Sequence, residues 1–277
     1  MIPTDHDLLA RLERYYDAVP RTAARTEDFG SLTLFVREGA GWPYYARPAL
    51  PGAAPVTEAD VRRVRARQRE LGIPEAFEWV AETSPTLRAA AERAGLAVHE
   101  HPLMVLDPGA PTPAVPALPG PDGTLVRIVG PEDPALPSAL AVPHLAFAEP
   151  GTGIGTAGPA ELAAAIREGA GEVARMADRI RAGVSTVAAA VRDGSACCAG
   201  QYLPVGEVAE IAGLGTLPTA RRQGLALAVT AALVADARAA GVRTVFLSAD
   251  SEDVARIYAR LGFRTMATAL IAEPVTA

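Results

Sequence analysis

Glu210-Ile211-Ala212-Gly213-Leu214-Gly215-Thr216-Leu217-Pro218-Thr219-Ala220-Arg221-Arg222-Gln223-Gly224-Leu225-Ala226 reads as a strand, a proline stop and a glycine-containing turn that opens a helix. Physically it is an anion cradle. The first turn of a helix carries backbone N–H groups without intrahelical partners and a partial positive charge. Gly224 lets the backbone approach an oxyanion closely, and Arg221 and Arg222 add full charges. A diphosphate fits such a cradle. The chain contains no lysine, which excludes the lysine-bearing phosphate loop of nucleoside triphosphatases, so the diphosphate has to be held mainly by main chain.

Outward from this stretch, the helix Leu225 to Ala240 meets Gly241, followed by the strand Thr244 to Ala249, an acidic cap at Asp250 to Asp253, a helix to Arg260, Gly262-Phe263 and the strand Arg264 to Glu273. The same plan occurs earlier: a basic helical run (Ala59 to Leu71), Gly72, the strand Ala76 to Ala81, a helix through Arg93, Gly95-Leu96 and the strand Ala97 to Leu106. The two glycines are 23 residues apart in the first copy and 21 in the second, so the repeat is structural and only weakly sequential.

The rest reads as a mixed α/β sheet flanked by helices. Expected elements are a helix (Asp7 to Ala18), a hairpin-like pair (Leu32 to Arg37, Pro43 to Arg47) around Gly39-Ala40-Gly41, and the strand Leu125 to Val129. Two helical stretches (Pro134 to Ala148, Ala160 to Arg181) precede strands near Ser185 to Arg192, Ala196 to Leu203 and Val208 to Leu217. Prolines at 108, 111, 113, 116, 119 and 121 make a semi-rigid linker, reaching on the order of 50 Å if polyproline-like. The expected division is an N-terminal half over 1–106, a linker over 107–122 and a catalytic domain over 123–277.

Composition narrows the function. Across 277 residues, 26 basic and 32 acidic side chains leave a net charge of -6, which speaks against a sequence-blind nucleic-acid binder. Neither a membrane-length apolar run nor a secretory leader is expected, so the chain reads as cytoplasmic. Cys197 and Cys198 are adjacent and read as reduced core thiols, and no metal set is expected.

The central stretch resembles the GNAT N-acetyltransferase superfamily. Its R/Q-x-x-G-x-G/A signature is met by Arg221, Gly224 and Ala226, and its second signature, a helical tyrosine four residues before Gly-Phe, by Tyr258, Gly262 and Phe263. The resemblance covers about Leu125 to Glu273 and makes the N-terminal half a partial, degenerate GNAT-like repeat. It implies acetyl-CoA as co-substrate, with the pyrophosphate at Arg221, Arg222, Gln223, Gly224, Leu225 and Ala226 and the pantetheine arm beside the strand ending at Thr216 and Leu217. It also implies a main-chain donor to the thioester carbonyl near Leu214 to Thr216, where Gly213 and Gly215 make a strand bulge plausible. Tyr258 is the candidate acid for the leaving thiolate, with a core residue as the alternative that its stripe with Val254, Ile257 and Leu261 allows. Glu210 is the candidate base, with Glu207 as competitor and a solvated strand carboxylate as the alternative. Ser251 stands where many family members have asparagine; it can cap the helix or bond the CoA arm.

The implied activity is acetyl transfer from acetyl-CoA to an amine, a small molecule being favoured as acceptor; the alternative is a non-catalytic acyl-CoA-binding regulatory or sensor protein. The second half is one strand shorter than the family's usual end. Cover for that open edge is expected from the first half or from a second copy of the chain as a homodimer. Gly153 to Gly158 fits G-x-G-x-x-G literally, but the preceding segment with Pro143 reads as a helix, which argues against a dinucleotide site and leaves a mobile loop beside the acceptor or an irregular connection. His99 and His101 read as a solvated strand face, and His144 as a surface histidine.

Overall fold

The computed structural model describes residues 4–39, 41–50, 55–115 and 123–275. Ala40 of the expected hairpin and Pro116, Pro119 and Pro121 of the expected linker lie outside the described residues. The chain forms two compact units: residues 1–103 with 248–251 and 265–277, and residues 104–247 with 252–264.

In the first unit, α1 (Asp5–Arg21) and α2 (Glu58–Glu70) each begin with a capping box, Thr4 with Asp7 and Thr57 with Asp60. α1 buries Leu8, Leu12, Tyr15 and Tyr16, and α2 buries Val61, Val64 and Gln68, the one-sided spacing of amphipathic helices. The strands β1 (Ala24–Asp28), β2 (Leu32–Arg37), β3 (Ala46–Pro48), β4 (Phe77–Val80) and β11 (Arg264–Pro274) lie side by side in that order. β1, β2 and β3 pair antiparallel in turn, β3 and β4 pair in parallel, and β11 runs antiparallel to β4 with Leu270 opposite Trp79. Leu32, Leu34, Phe77, Trp79, Leu87 of α3 (Leu87–Arg93), Leu96 of β5 (Leu96–Leu106) and Leu270 share one core. The C-terminal strand therefore completes the core of the first unit.

The second unit has the lateral order β10 (Thr244–Ser248), β9 (Val208–Thr216), β8 (Ser195–Val205), β7 (Thr186–Arg192) and β6 (Leu125–Val129). β6 through β9 are antiparallel, and β10 is parallel to β9. The β7–β8 hairpin turns on Asp193 and Gly194, both at positive φ (50° and 79°), as a two-residue primed turn requires. α4 (Leu136–Ala148) packs on β8 and β9, and α7 (Leu225–Ala239) packs on β6 through β9. α7 buries Leu225, Leu227, Val229, Leu233 and Val234, which lie all around the helix, in keeping with an interior helix. The expected second helical stretch is divided at Gly169 into α5 (Pro159–Glu168) and α6 (Ala170–Arg181). Met104, Val105 and Leu106, the end of β5, are buried, and a Cβ on Gly262 would lie 3.4 Å from the Leu106 side chain. Among the described residues no helix is long and apolar enough to cross a membrane.

Candidate functional site

The parallel β9–β10 ladder has three rungs, Val208 with Thr244, Ala209 with Val245 and Glu210 with Phe246. β9 then continues to Thr216 against β8, where the register slips: Ala199 faces Gly215 while Gln201 faces Ala212. The extra residue belongs to β9, so the expected bulge is present at Gly213-Leu214, with Gly213 at φ 61°. Two contacts hold it. A Cβ on Gly200 would stand 2.6 Å from the Leu214 side chain, and one on Gly215 would stand 2.8 Å from both Ala146 Cβ and Pro143 Cα of α4. Glycine is required at both places because backbone or side chain already fills the space.

Leu217, which follows β9, donates its N–H to the Cys197 carbonyl at 2.8 Å, and the Thr216 hydroxyl lies 3.2 Å from Cys198 Sγ. Burial pushes the Cys198 thiol up to about 12, so it is a packing group; both cysteines are free. A 3-10 turn, Pro218–Ala220, leads to the mouth of α7. Arg222 is exposed at φ 67°, and among the described residues it shares the left-handed region with one other non-glycine, Asp193. Gly224 follows at φ 76°, exposed, with no atom within 4 Å of where its Cβ would be. α7 opens from Gly224 with no side-chain cap and no acidic residue in its first turn, unlike α1 and α2. An open, left-handed glycine before an uncapped helix mouth suits the pyrophosphate of CoA, because main-chain donors can be approached there without a side chain in the way.

The neighbouring side chains have other tasks. The Arg221 guanidinium is buried and donates to the carbonyls of Ala146 (3.1 Å), Gly153 (3.2 Å) and Glu149. Sequence reasoning assigns its charge to the phosphate turn; in the structure that charge holds the segment behind α4. Gln223 Oε1 accepts from Arg192 at 2.7 Å, and Arg192 also donates to the Thr124 hydroxyl at 2.9 Å. Leu225 is buried and Ala226 half-buried on α7.

The glycine-rich segment 153–158 follows a helix, so the structure bears out the rejection of a dinucleotide fingerprint. It encloses a carboxylate of its own. Glu149 accepts from the Thr156 N–H at 2.9 and 3.1 Å, from the Thr156 hydroxyl at 3.2 Å and from the Ala157 N–H at 3.2 Å. These bonds, those from the Ala157 and Thr156 backbone foremost, hold its pKa below the ordinary glutamate value. A Cβ on Gly155 would fall 1.9 Å from Glu149 Oε1. The segment is also joined to the turn before α7, by Gly155 N–H to the Pro218 carbonyl (3.0 Å) and Thr219 N–H to the Ala157 carbonyl (3.1 Å). It is thus a pinned loop. Sequence reasoning does not single out Glu149; its one signal is an acid beside a run of glycines whose N–H groups are unused by a helix or strand.

Tyr258 lies on α8 (Glu252–Ala259), buried, with its ring edge-on to Phe263 at 6.2 Å between centroids. Glu210 is half-buried on the last rung of the ladder, whereas Glu207 is exposed in the turn before β9 and lies 3.6 Å from Arg243. Ser251, half-buried, precedes α8 and falls in the residues of the first unit. His101 Nδ1 lies 3.2 Å from the Asp250 carbonyl, and His144 lies 3.4 Å from Glu172 across α4 and α6.

Residues 163–263 match the family described as Acetyltransferase (GNAT) family. Among solved structures, a GCN5-related N-acetyltransferase from Kribbella flavida is similar over 97% of this chain and 96% of its own, at 22% identity and a TM-score of 0.68. A tandem GNAT protein from the clavulanic acid biosynthesis pathway is similar over 89% of this chain and 79% of its own, at 18% identity and a TM-score of 0.52. No curated protein sequence matches. The bulged strand and the open-mouthed helix after it both lie within residues 163–263, the stretch that matches the acetyltransferase (GNAT) family.

Proposed function

We propose that the chain moves an acetyl group from acetyl-CoA directly to an amine, favouring a small molecule, and that the second unit carries the site. The observation that carries this reading is the mouth of α7, where Arg222 and Gly224 are both left-handed and exposed and no side chain caps the helix. The main-chain N–H groups from Gly224 to Ala226 would hold the pyrophosphate, with the exposed Arg222 side chain as counter-charge and Gln223 steadied by Arg192. Thr216 and Leu217 would lie along the pantetheine arm.

When bound, acetyl-CoA supplies an activated thioester carbonyl that an amine can attack without a covalent enzyme intermediate. The Gly213-Leu214 bulge turns main-chain N–H groups of β9 out of the ladder, which supports a donor to the carbonyl oxygen near Leu214 to Thr216. Glu210, at the end of the β9–β10 pairing, would take the amine proton, and Tyr258 would return a proton to the leaving thiolate.

A thiol-release assay over a panel of primary amines, paired with acetyl-CoA calorimetry, tests the reading. Binding with amine-dependent release of CoA supports it. Binding without release for any amine assigns the chain to acyl-CoA sensing instead.

A further inference from the structure

The end of α4 with the pinned loop behind it and the turn before α7 are tied together at five places. Arg221, in the turn, reaches the carbonyls of Ala146, Glu149 and Gly153, and the two backbone bonds from Gly155 to Pro218 and from Thr219 to Ala157 run between the same segments. The loop keeps its shape because the Glu149 carboxylate sits among the Thr156 and Ala157 N–H groups, in space that only a glycine at 155 leaves open. α4 in turn lies against β9 at Gly215, where a Cβ would strike Pro143 and Ala146. The segment leaving α4 therefore borders the turn that follows β9, as one wall of the proposed site.

The geometry points to Glu149 as a positioning residue that couples acyl-CoA occupancy of the α7 turn to the order of the 153–158 wall. This inference rests on the acetyl-transfer reading. A ligand that steadies Pro218 to Ala226 steadies the partners of Gly155, Ala157 and Arg221, so opening of the loop becomes costlier once acyl-CoA is bound. By linkage, an amine that needs the ordered wall binds more tightly to the acyl-CoA complex than to the free chain. Glu149 touches neither reactant in this scheme. Without its carboxylate the loop N–H groups lose their acceptor, and the turn is left linked to a wall that no longer has one shape.

Hydrogen exchange of the full chain, with and without saturating acetyl-CoA, tests the coupling in the wild type, Glu149→Ala and Glu149→Gln. In the wild type, acetyl-CoA should slow exchange of the 155–157 amides by about tenfold or more. In Glu149→Ala these amides should exchange about tenfold faster without ligand and gain little from acetyl-CoA, while calorimetric affinity stays within about threefold of wild type. Glu149→Gln keeps one accepting oxygen and should fall between the two; it also carries the test if the alanine variant fails to fold. Wild-type loop amides indifferent to bound acetyl-CoA, or a Glu149→Ala loop that responds like the wild type, would overturn the proposal. If acetyl-CoA does not bind the wild type, the transfer reading and the coupling both fall, and the ligand-free exchange of Glu149→Ala still shows whether the carboxylate locks the loop.

Discussion

Glu210 faces Phe246 on the last rung of the parallel β9–β10 ladder, three residues before the bulge at Gly213 interrupts the pairing of β9 with β8. The backbone at that position is fixed by pairing on both sides of its strand, through Leu203 on β8 as well as Phe246 on β10. As base, it matters most where the unprotonated amine is scarce. Glu210→Gln should lower kcat/KM by about a hundredfold or more, with the largest loss at the acid end of the pH profile. A profile parallel to wild type would return Glu210 to the role of a strand carboxylate.

Tyr258 is held by its ring, edge-on to Phe263, and Tyr258→Phe leaves that contact in place. The fold and the affinity for acetyl-CoA should therefore be kept while kcat falls by about tenfold to a hundredfold, the share of a general acid. Equal kcat in the two proteins would make Tyr258 a packing residue of the stripe on α8.

Gly224 has open space where a Cβ would be, so a Cβ there meets no protein atom and reaches toward the proposed phosphate position. Gly224→Glu should abolish acetyl-CoA binding by calorimetry, because a carboxylate at the helix mouth occupies and repels the phosphate position. Gly224→Ala is the control: it bears the strain of positive φ, about 1 kcal/mol, without the charge. The wild type should bind one acetyl-CoA per chain. In the first unit the mouth of α2 is closed by its own capping box, where Asp60 Oδ2 accepts from the Thr57 N–H at 2.9 Å and the Thr57 hydroxyl at 2.7 Å. Two equivalent sites would contradict this.

The elements that sequence reasoning recovers are those with local causes. The β9 strand, the proline stop, the glycine turn and α7 follow each other in one stretch, and each is set by its own residues. β1 escapes notice because Ala24–Asp28 is a polar edge strand with no buried residue, so neither alternation nor apolar content marks it. The task of Arg221 is illegible for another reason: its acceptors lie 68 to 75 residues earlier, and no local pattern pairs a guanidinium with carbonyls at that distance. The lodging of β11 beside β4 is likewise a long-range choice, since Arg264–Pro274 would serve as a strand in either unit.

Glu27 on β1 accepts from Arg67 on α2 at 2.7 and 3.1 Å and also from Arg25, and these bonds, Arg67 first, lower its pKa to about 2. The folded value lies below the ordinary glutamate value of 4.5, so the contribution to stability is complete above about 4.5 and disappears as pH falls through about 2. Glu27→Gln should lower Tm slightly near neutrality, the pair being partly exposed and screened by solvent. The gap to wild type should close between those two pH values in melts followed by circular dichroism, and a gap that persists below pH 2 would assign the effect to packing.

Leu270 and Ala272 of β11 are buried in the same core as Phe77 and Trp79 of β4, and Ala269, Leu270, Ile271 and Ala272 pair with Val80, Trp79, Glu78 and Phe77. In the full chain, Leu270→Ala should cost about 2–5 kcal/mol in denaturant unfolding, as large-to-small changes in cores do, although the residue lies almost 200 positions from its partners. The same pairing decides the fate of a fragment beginning at Gly123. It would lose the partner strand of β11, the buried Met104, Val105 and Leu106, and Asp107, whose carboxylate accepts from Arg264 at 2.9 and 3.0 Å. None of the candidate reacting groups is removed. What is exposed instead is an apolar strand with unpaired backbone groups, the kind of edge along which chains aggregate. The fragment should be insoluble or elute as aggregate in size-exclusion chromatography, and should release no CoA under conditions where the full chain does. A monomeric, stable and fully active fragment would show that residues before Gly123 do not support the transferase unit, and would leave them as a binding module in their own right.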